Sequence, residues 1–302
     1  MNRPHPAPYR DAAPREGVAA DLAALAKLPL VAMVMLTVAV GYLLGHPGTG
    51  AAAGWARLAH TLAGSFLAAC GAMILNQVFE RSADARMRRT LGRPLPAGRI
   101  GVPEAVFIGT CSAACGLAWM SLAVGPLAAT VAAATAAVYL LIYTPMKTRT
   151  SLCTVVGAVS GALPPLIGFA ASAGALPARA WTLFAVLFAW QVPHFLAVAW
   201  LHREDYARAG QVMLPVVDPS GHASARQAVW YTLALLAASL MPTVIGMCGP
   251  AYFAAAVLLG WTLVLAALGL VVRPGDAAAR RLFITGLIYL PLLLAVMVAD
   301  RR

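Results

Sequence analysis

Asn76, Glu80 and Asp84 recur at intervals of four, so a helix would carry all three oxygen-bearing side chains on one stripe. Successive levels of such a stripe are about 6 Å apart. Three oxygen donors in a row can hold a hard divalent cation. Six arginines lie between residues 81 and 99: Arg81, Arg86, Arg88, Arg89, Arg93 and Arg99. Their planar, permanently charged heads suit a phosphorylated ligand. The stripe continues directly from an apolar run over residues 56–75. Lipid tolerates such groups only where they are paired or line a polar cavity, so a functional site is the first reading. The plainer alternative is a set of ion pairs at a wet helix end, a kind of contact that stabilises little.

Two further clusters weigh against the plainer alternative. One is His202, Arg203, Glu204, Asp205 and Tyr206, at the end of a later apolar run. The other is Tyr143, Thr144, Pro145, Met146, Lys147, Thr148 and Arg149. Lys147 and Arg149 could grip a diphosphate while the carboxylates hold Mg2+ against it. His194 lies among Trp190, Phe195 and Trp200, an aromatic wall suited to a flat ring system or a cation. Packing, with the imidazole bonded to a neighbouring carbonyl, remains the bland alternative for His194. Gly157, Gly161, Pro164, Pro165 and Gly168 occupy a single apolar run. The prolines predict a kink, and the glycines allow close approach by a ligand or by another helix.

The elements that must position these residues are membrane helices. The chain has 302 residues, 61% hydrophobic and 11% charged. Soluble domains carry about a quarter charged residues, so this composition belongs to the membrane class. Nine apolar runs are long enough to cross a bilayer: 28–45, 56–79, 104–123, 126–144, 152–173, 180–201, 227–247, 250–271 and 281–299. The runs are continuous rather than alternating, which selects helices over a barrel. The expected fold is an all-α integral membrane protein, with nine transmembrane helices around a central cavity opening to the cytoplasmic side.

Charge asymmetry gives the orientation. With nine spans, 18 of the 22 Lys and Arg fall on one side, the side of the stripe. The positive-inside rule then places the N-terminus and stripe in the cytoplasm and the C-terminus in the periplasm of a bacterial inner membrane. The same rule accounts for the net charge of +11 without a nucleic-acid partner. Residues 1–27 read as a disordered cytoplasmic tail and 28–302 as one membrane domain. The five cysteines show no metal-ligand spacing and read as packing residues.

The joint occurrence of these motifs resembles the UbiA-type intramembrane prenyltransferases. The resemblance covers about residues 28–299. It rests first on Asn76, Glu80 and Asp84, with Met87, Arg88, Arg89, Thr90 and the run Arg93-Pro-Leu-Pro-Ala-Gly. Tyr143 to Lys147, Gly161 to Gly168, Val192 to Phe195 and Asp205 to Pro215 are similar to the branch of protohaem IX farnesyltransferases, also called haem O synthases. That branch implies transfer of farnesyl from farnesyl diphosphate to a vinyl group of haem B. A hydroxyethylfarnesyl side chain results, water adding during the reaction. Carried over, Asn76, Glu80 and Asp84 hold Mg2+ on the diphosphate, and Arg88, Arg89, Arg93, Lys147 and Arg149 neutralise its oxygens. His194 contacts haem as a candidate axial ligand, while Tyr143, His202, Asp205 and Tyr206 complete the polar mouth. Membrane lipid is the surrounding partner, and haem A synthase or terminal-oxidase assembly factors are the implied protein partners. The chain departs from the usual pattern in having Glu80 and Ser82 where aspartates are expected. Two competing functions remain: a UbiA-type enzyme acting on a quinone-precursor aromatic acid, and a small-molecule transporter. A transporter would carry its charges nearer the bilayer midplane.

Overall fold

The apolar runs form helices and no strands among the described residues, 17–46 and 52–302 of a computed structural model. In chain order these are α1 (Val18–Ala26), α2 (Leu28–Gly45), α3 (Ala52–Asp84), α4 (Val102–Ala123) and α5 (Pro126–Ala137). A π-helical segment, Val138–Tyr143, joins α5 to the short α6 (Thr144–Met146). There follow α7 (Cys153–Ala162), α8 (Pro164–Ala173), α9 (Ala178–Leu201), α10 (Arg203–Ala209) and α11 (Leu214–Val217). Three long helices close the chain: α12 (His222–Val244), α13 (Pro250–Val272) and α14 (Asp276–Ala299). Nine membrane-crossing units result among the described residues, with α5 to α6 and α7 to α8 each acting as one. They match the nine runs read from sequence, although three run further than hydropathy indicates. Helix α3 continues through Asp84, α12 starts at His222 and α14 at Asp276, each reaching beyond the hydrocarbon into polar sequence.

The kink expected at Pro164-Pro165 is present. Neither proline has an N–H to donate to the carbonyls of Ser160 and Gly161, and the ladder breaks at Leu163 between α7 and α8. Past the kink, α8 packs closely on α2. A Cβ on Gly168 would lie 2.1 Å from the Val38 carbonyl oxygen, so that crossing requires a hydrogen there.

The expected tail over 1–27 needs correction. Residues 1–16 lie outside the described residues, whereas Val18–Ala26 is a helix. Leu25 and Ala26 bury one face of it, and an ion pair between Arg99 and Asp21 at 2.8 Å ties it to the loop after α3. Ala and Leu at helical spacing supply both propensity and an apolar face to this segment.

Opposite ends of the bundle are closed by different devices. At the end away from the stripe, Arg57 donates to Ala171 O at 2.7 Å and to Val124 O at 2.6 Å. It thereby satisfies C-terminal carbonyls of α8 and α4 that have no partner within their helices. Arg301 donates to Leu43 O at 3.0 Å, joining the last helix to the end of α2. The remaining chemistry gathers at the other end.

Candidate active site

Helix α3 presents Asn76, Glu80 and Asp84 as one buried stripe, and each level meets a different cation or donor set. At the deepest level, Asn76 Oδ1 accepts from Lys27 Nζ at 2.7 Å and from Tyr139 OH at 3.0 Å. Its Nδ2 donates to Thr144 Oγ1 at 3.0 Å. One turn up, Lys147 donates to Glu80 at 2.6 Å. At the helix end, Arg93 donates to Asp84 Oδ2 at 2.7 Å, while Asp84 Oδ1 is buried without a hydrogen-bond partner. Ser82 is exposed, off the stripe, so its missing charge does not alter this set.

The π-helical segment explains how a second span reaches the stripe. Pro145 cannot donate to the carbonyl four residues back, and Thr144 Oγ1 instead donates to Tyr139 O at 2.8 Å. The wound-out turn stacks Tyr139 on Tyr143 with centroids 5.6 Å apart, and sets Lys147 Nζ 4.4 Å above the Tyr143 ring. Gly157 on α7 makes room for that ring: a Cβ there would lie 2.7 Å from Tyr143 Cε2. Burial opposes charge on Lys147, yet the Tyr143 ring and Glu80 hold its ammonium well above the ordinary range.

The third cluster joins the first through the polypeptide itself. Asp205 Oδ1 accepts the backbone N–H of Arg88 at 3.0 Å and a guanidinium hydrogen bond from Arg208. Burial pushes the Asp205 carboxyl up, but the Arg88 N–H and Arg208 outweigh it and keep it below its usual range. Arg89 lies over the Tyr206 ring at 6.0 Å, and Arg86 donates to Ala209 O at 3.0 Å. Burial, followed by the nearby Arg89, lowers the His202 imidazole. The loops after α3 and α9 thus form one polar lining. Arg88 and Arg89 themselves are exposed, as is Arg149, which joins none of the ion pairs among the described residues.

His194 stands apart from the stripe. Its ring stacks on Trp190 at 4.9 Å and lies 5.0 Å from Phe283 of α14. Trp190 is fixed by donation of its indole N–H to Gly286 O at 2.8 Å. His194 Nδ1 is buried and has no hydrogen-bond partner. Trp200, expected in the same wall, faces elsewhere and donates to Asp276 Oδ1 at 3.0 Å.

Among the described residues no three His, Cys, Asp or Glu side chains cluster as a ready-made metal site. The stripe offers Asn76, Glu80 and Asp84 instead, and its orphaned Asp84 Oδ1 is a hard acceptor that fits a cation.

Residues 34–293 match the UbiA prenyltransferase family. The chain belongs to that family. It is 43% identical over 290 residues to the protoheme IX farnesyltransferase of Solibacter usitatus, covering 93% of this chain and 98% of the relative. The corresponding protein of Koribacter versatilis is 39% identical over 300 residues, with 96% and 97% covered. Among solved structures, digeranylgeranylglyceryl phosphate synthase superposes with a TM-score of 0.78 at 16% identity, covering 93% of this chain and 98% of that one. A UbiA homologue from Archaeoglobus fulgidus bound to GPP and Mg2+ gives 0.65 at 15% identity, covering 92% and 99%. The chain is therefore a multi-pass membrane protein with the UbiA fold.

Lys27, like Tyr139, is a site residue that sequence reading missed. It is the one described non-glycine residue with positive φ, 52°, and this left-handed turn ends α1 and directs the ammonium to Asn76. Gln77 reinforces the turn by donating to Ala24 O at 2.9 Å and Leu25 O at 2.8 Å. By sequence alone Lys27 is one of four basic residues that precede the first span. The available signal was a lone lysine between two apolar helical stretches.

Proposed function

We propose that this protein is a protohaem IX farnesyltransferase, transferring farnesyl from farnesyl diphosphate to a vinyl group of haem B to give haem O. The observation that carries the reading is the layered stripe: Asn76, Glu80 and Asp84 each face a group able to turn towards a phosphate oxygen. Identity with the Solibacter and Koribacter enzymes along nearly the whole chain supplies the acceptor.

Asn76, Glu80 and Asp84 would hold Mg2+, which neutralises charge growing on the leaving diphosphate. Lys27, Lys147 and Arg93, which lie against those side chains, would donate to diphosphate oxygens. Arg88, Arg89 and Arg149, exposed at the same end, extend the positive field to the ligand's approach. The stacked Tyr139 and Tyr143 rings would hold Lys147 beside the stripe and keep water from the allylic carbon. His194, Trp190 and Phe283 form the flat surface for the acceptor ring. His202, Asp205 and Tyr206 brace the arginine loop from the opposite side. The stripe faces the cytoplasm of a bacterial inner membrane, so the diphosphate stays wet while the farnesyl tail remains in hydrocarbon. The product would pass to haem A synthase or to terminal-oxidase assembly.

The test is turnover of the purified protein with haem B, farnesyl diphosphate and Mg2+, following haem O by chromatography. Formation of haem O is expected. Farnesylation of an aromatic acid in place of haem would reassign the acceptor.

A further inference from the structure

Gln191 has no place in the site just described, yet it lies within the same bundle. It is 5% exposed on α9, and its Oε1 is buried without a hydrogen-bond partner. Its amide is seated on α7, where a Cβ on Gly161 would lie 2.2 Å from Oε1. Gly157, one turn earlier on the same face of α7, seats the Tyr143 ring. Gln191 therefore sits about 6 Å deeper in the membrane than the ring that carries Lys147. A polar group without a partner at membrane depth costs several kcal/mol, and an apolar side chain would fill the space without that cost. The adjacent backbone has the same character, because Pro164 and Pro165 leave the carbonyls of Ser160 and Gly161 without their in-helix donors. Gln191 Oε1 and the carbonyls of the adjoining α7 turn are thus acceptors that the O–H groups of a small molecule would satisfy.

We propose that Gln191 positions the water that becomes the hydroxyl of the farnesylated haem. The inference rests on the haem O reading above. In the reaction, the allylic C–O bond breaks and its electron pair leaves with the diphosphate. The vinyl π pair forms the new C–C bond to farnesyl, leaving a cation on the vinyl carbon next to the porphyrin. Water held through its hydrogens by Gln191 Oε1 and a freed α7 carbonyl directs its lone pair to that carbon and forms the C–O bond. Its extra proton passes to the diphosphate released in the same turnover. Without an oriented water, the cation loses a proton from carbon instead and gives an alkene. Gln191 is thus a positioning residue that selects hydration over elimination.

The experiment compares wild type with Gln191→Leu, both full length and purified, with haem B, farnesyl diphosphate and Mg2+ in isotopically heavy water. Products are resolved by mass. Wild type is expected to give labelled haem O. In Gln191→Leu the ratio of hydroxylated product to the alkene, lighter by one water, should fall about tenfold, the scale of one lost hydrogen bond. Haem titration and total farnesyl transfer should stay close to wild type. Gln191→Glu, which retains an acceptor oxygen at the same reach, should restore hydration. An unchanged ratio in Gln191→Leu, or complete loss of transfer with haem binding intact, overturns the proposal. Should the Leu variant fail to fold, Gln191→Asn decides: a lowered ratio supports the proposal and a wild-type ratio overturns it. A wild type that makes no farnesylated haem overturns the underlying reading and this one with it, whereas altered ratios cannot arise unless that reading holds.

Discussion

Lys27 Nζ lies 2.7 Å from Asn76 Oδ1, a contact between residues 49 apart that brings the α1–α2 turn onto the deepest level of the stripe. Burial, followed by the charge of Arg93, brings the Lys27 ammonium down to about 7. Its positive charge is therefore present below that pH and lost above it. A diphosphate trianion is better held by the charged form. We expect kcat/KM for farnesyl diphosphate to decline as pH rises through about 7, a limb that Lys27→Arg removes because guanidinium stays charged. Lys27→Ala should raise KM for farnesyl diphosphate about tenfold at pH 6, as expected for one charge-assisted hydrogen bond. A descending limb that persists unchanged in Lys27→Arg would assign it to another group.

Asp84 differs from its neighbours on the stripe in having one oxygen engaged by Arg93 and the other buried without a hydrogen-bond partner. Asp84→Asn keeps the shape and removes the charge. Turnover should fall by at least about a hundredfold, the usual scale for loss of a preorganised electrostatic contact to a leaving group. The protein should remain in the membrane, since its helices and their apolar faces are unaltered. Raising Mg2+ should recover part of the rate in Asp84→Glu and none in Asp84→Ala. Full activity of Asp84→Ala in a chromatographic assay would remove the metal role from this carboxylate.

How much of this was legible in the sequence depends on the kind of signal. Continuous apolar runs define spans because the bilayer sets a length, and all nine match helices among the described residues. The stripe was legible because i, i+4, i+8 spacing survives in any helix, and the proline kink because a missing N–H acts locally. Partners were not legible. That Lys27 faces Asn76 depends on a left-handed turn and on the packing of α1 against α3, neither of which has a one-dimensional signature. The π-helical turn that aligns Tyr139 with Tyr143 was equally hidden. Proximity in sequence groups Trp200 with His194, whereas its indole points to Asp276 at the head of α14. Spacing groups Arg149 with Lys147, yet it sits exposed beyond the turn that buries its neighbour.

Gly157 offers a test of the aromatic platform that touches no charged group. A methyl there would lie 2.7 Å from Tyr143 Cε2, so the ring must move and Lys147 above it with it. Gly157→Ala should lower turnover about tenfold and cost about 1–3 kcal/mol of stability, the range for overpacking a filled site. Gly269→Ala, in α13 with nothing within 4 Å of the added carbon, is the control: turnover should stay unchanged and stability should rise by up to about 1 kcal/mol, the helix preference of alanine over glycine. Thermal unfolding in detergent and the haem O assay read the two effects separately.

His194 separates a packing role from a haem role most cleanly when its shape is retained. Its ring stacks on Trp190 and faces Phe283, contacts that phenylalanine can reproduce, while its buried Nδ1 has no partner that phenylalanine would disturb. His194→Phe should therefore leave thermal stability within about 1 kcal/mol of wild type, as for a swap that conserves volume. His194→Ala should instead leave a void between α9 and α14 and cost about 3 kcal/mol or more. If the imidazole meets haem, both variants weaken haem B binding in an absorbance titration by about tenfold or more, the scale of a lost polar contact in a dry site. If it only packs, His194→Phe titrates as wild type does and only the Ala variant falls. The Phe variant decides between them because stability and haem affinity then move independently.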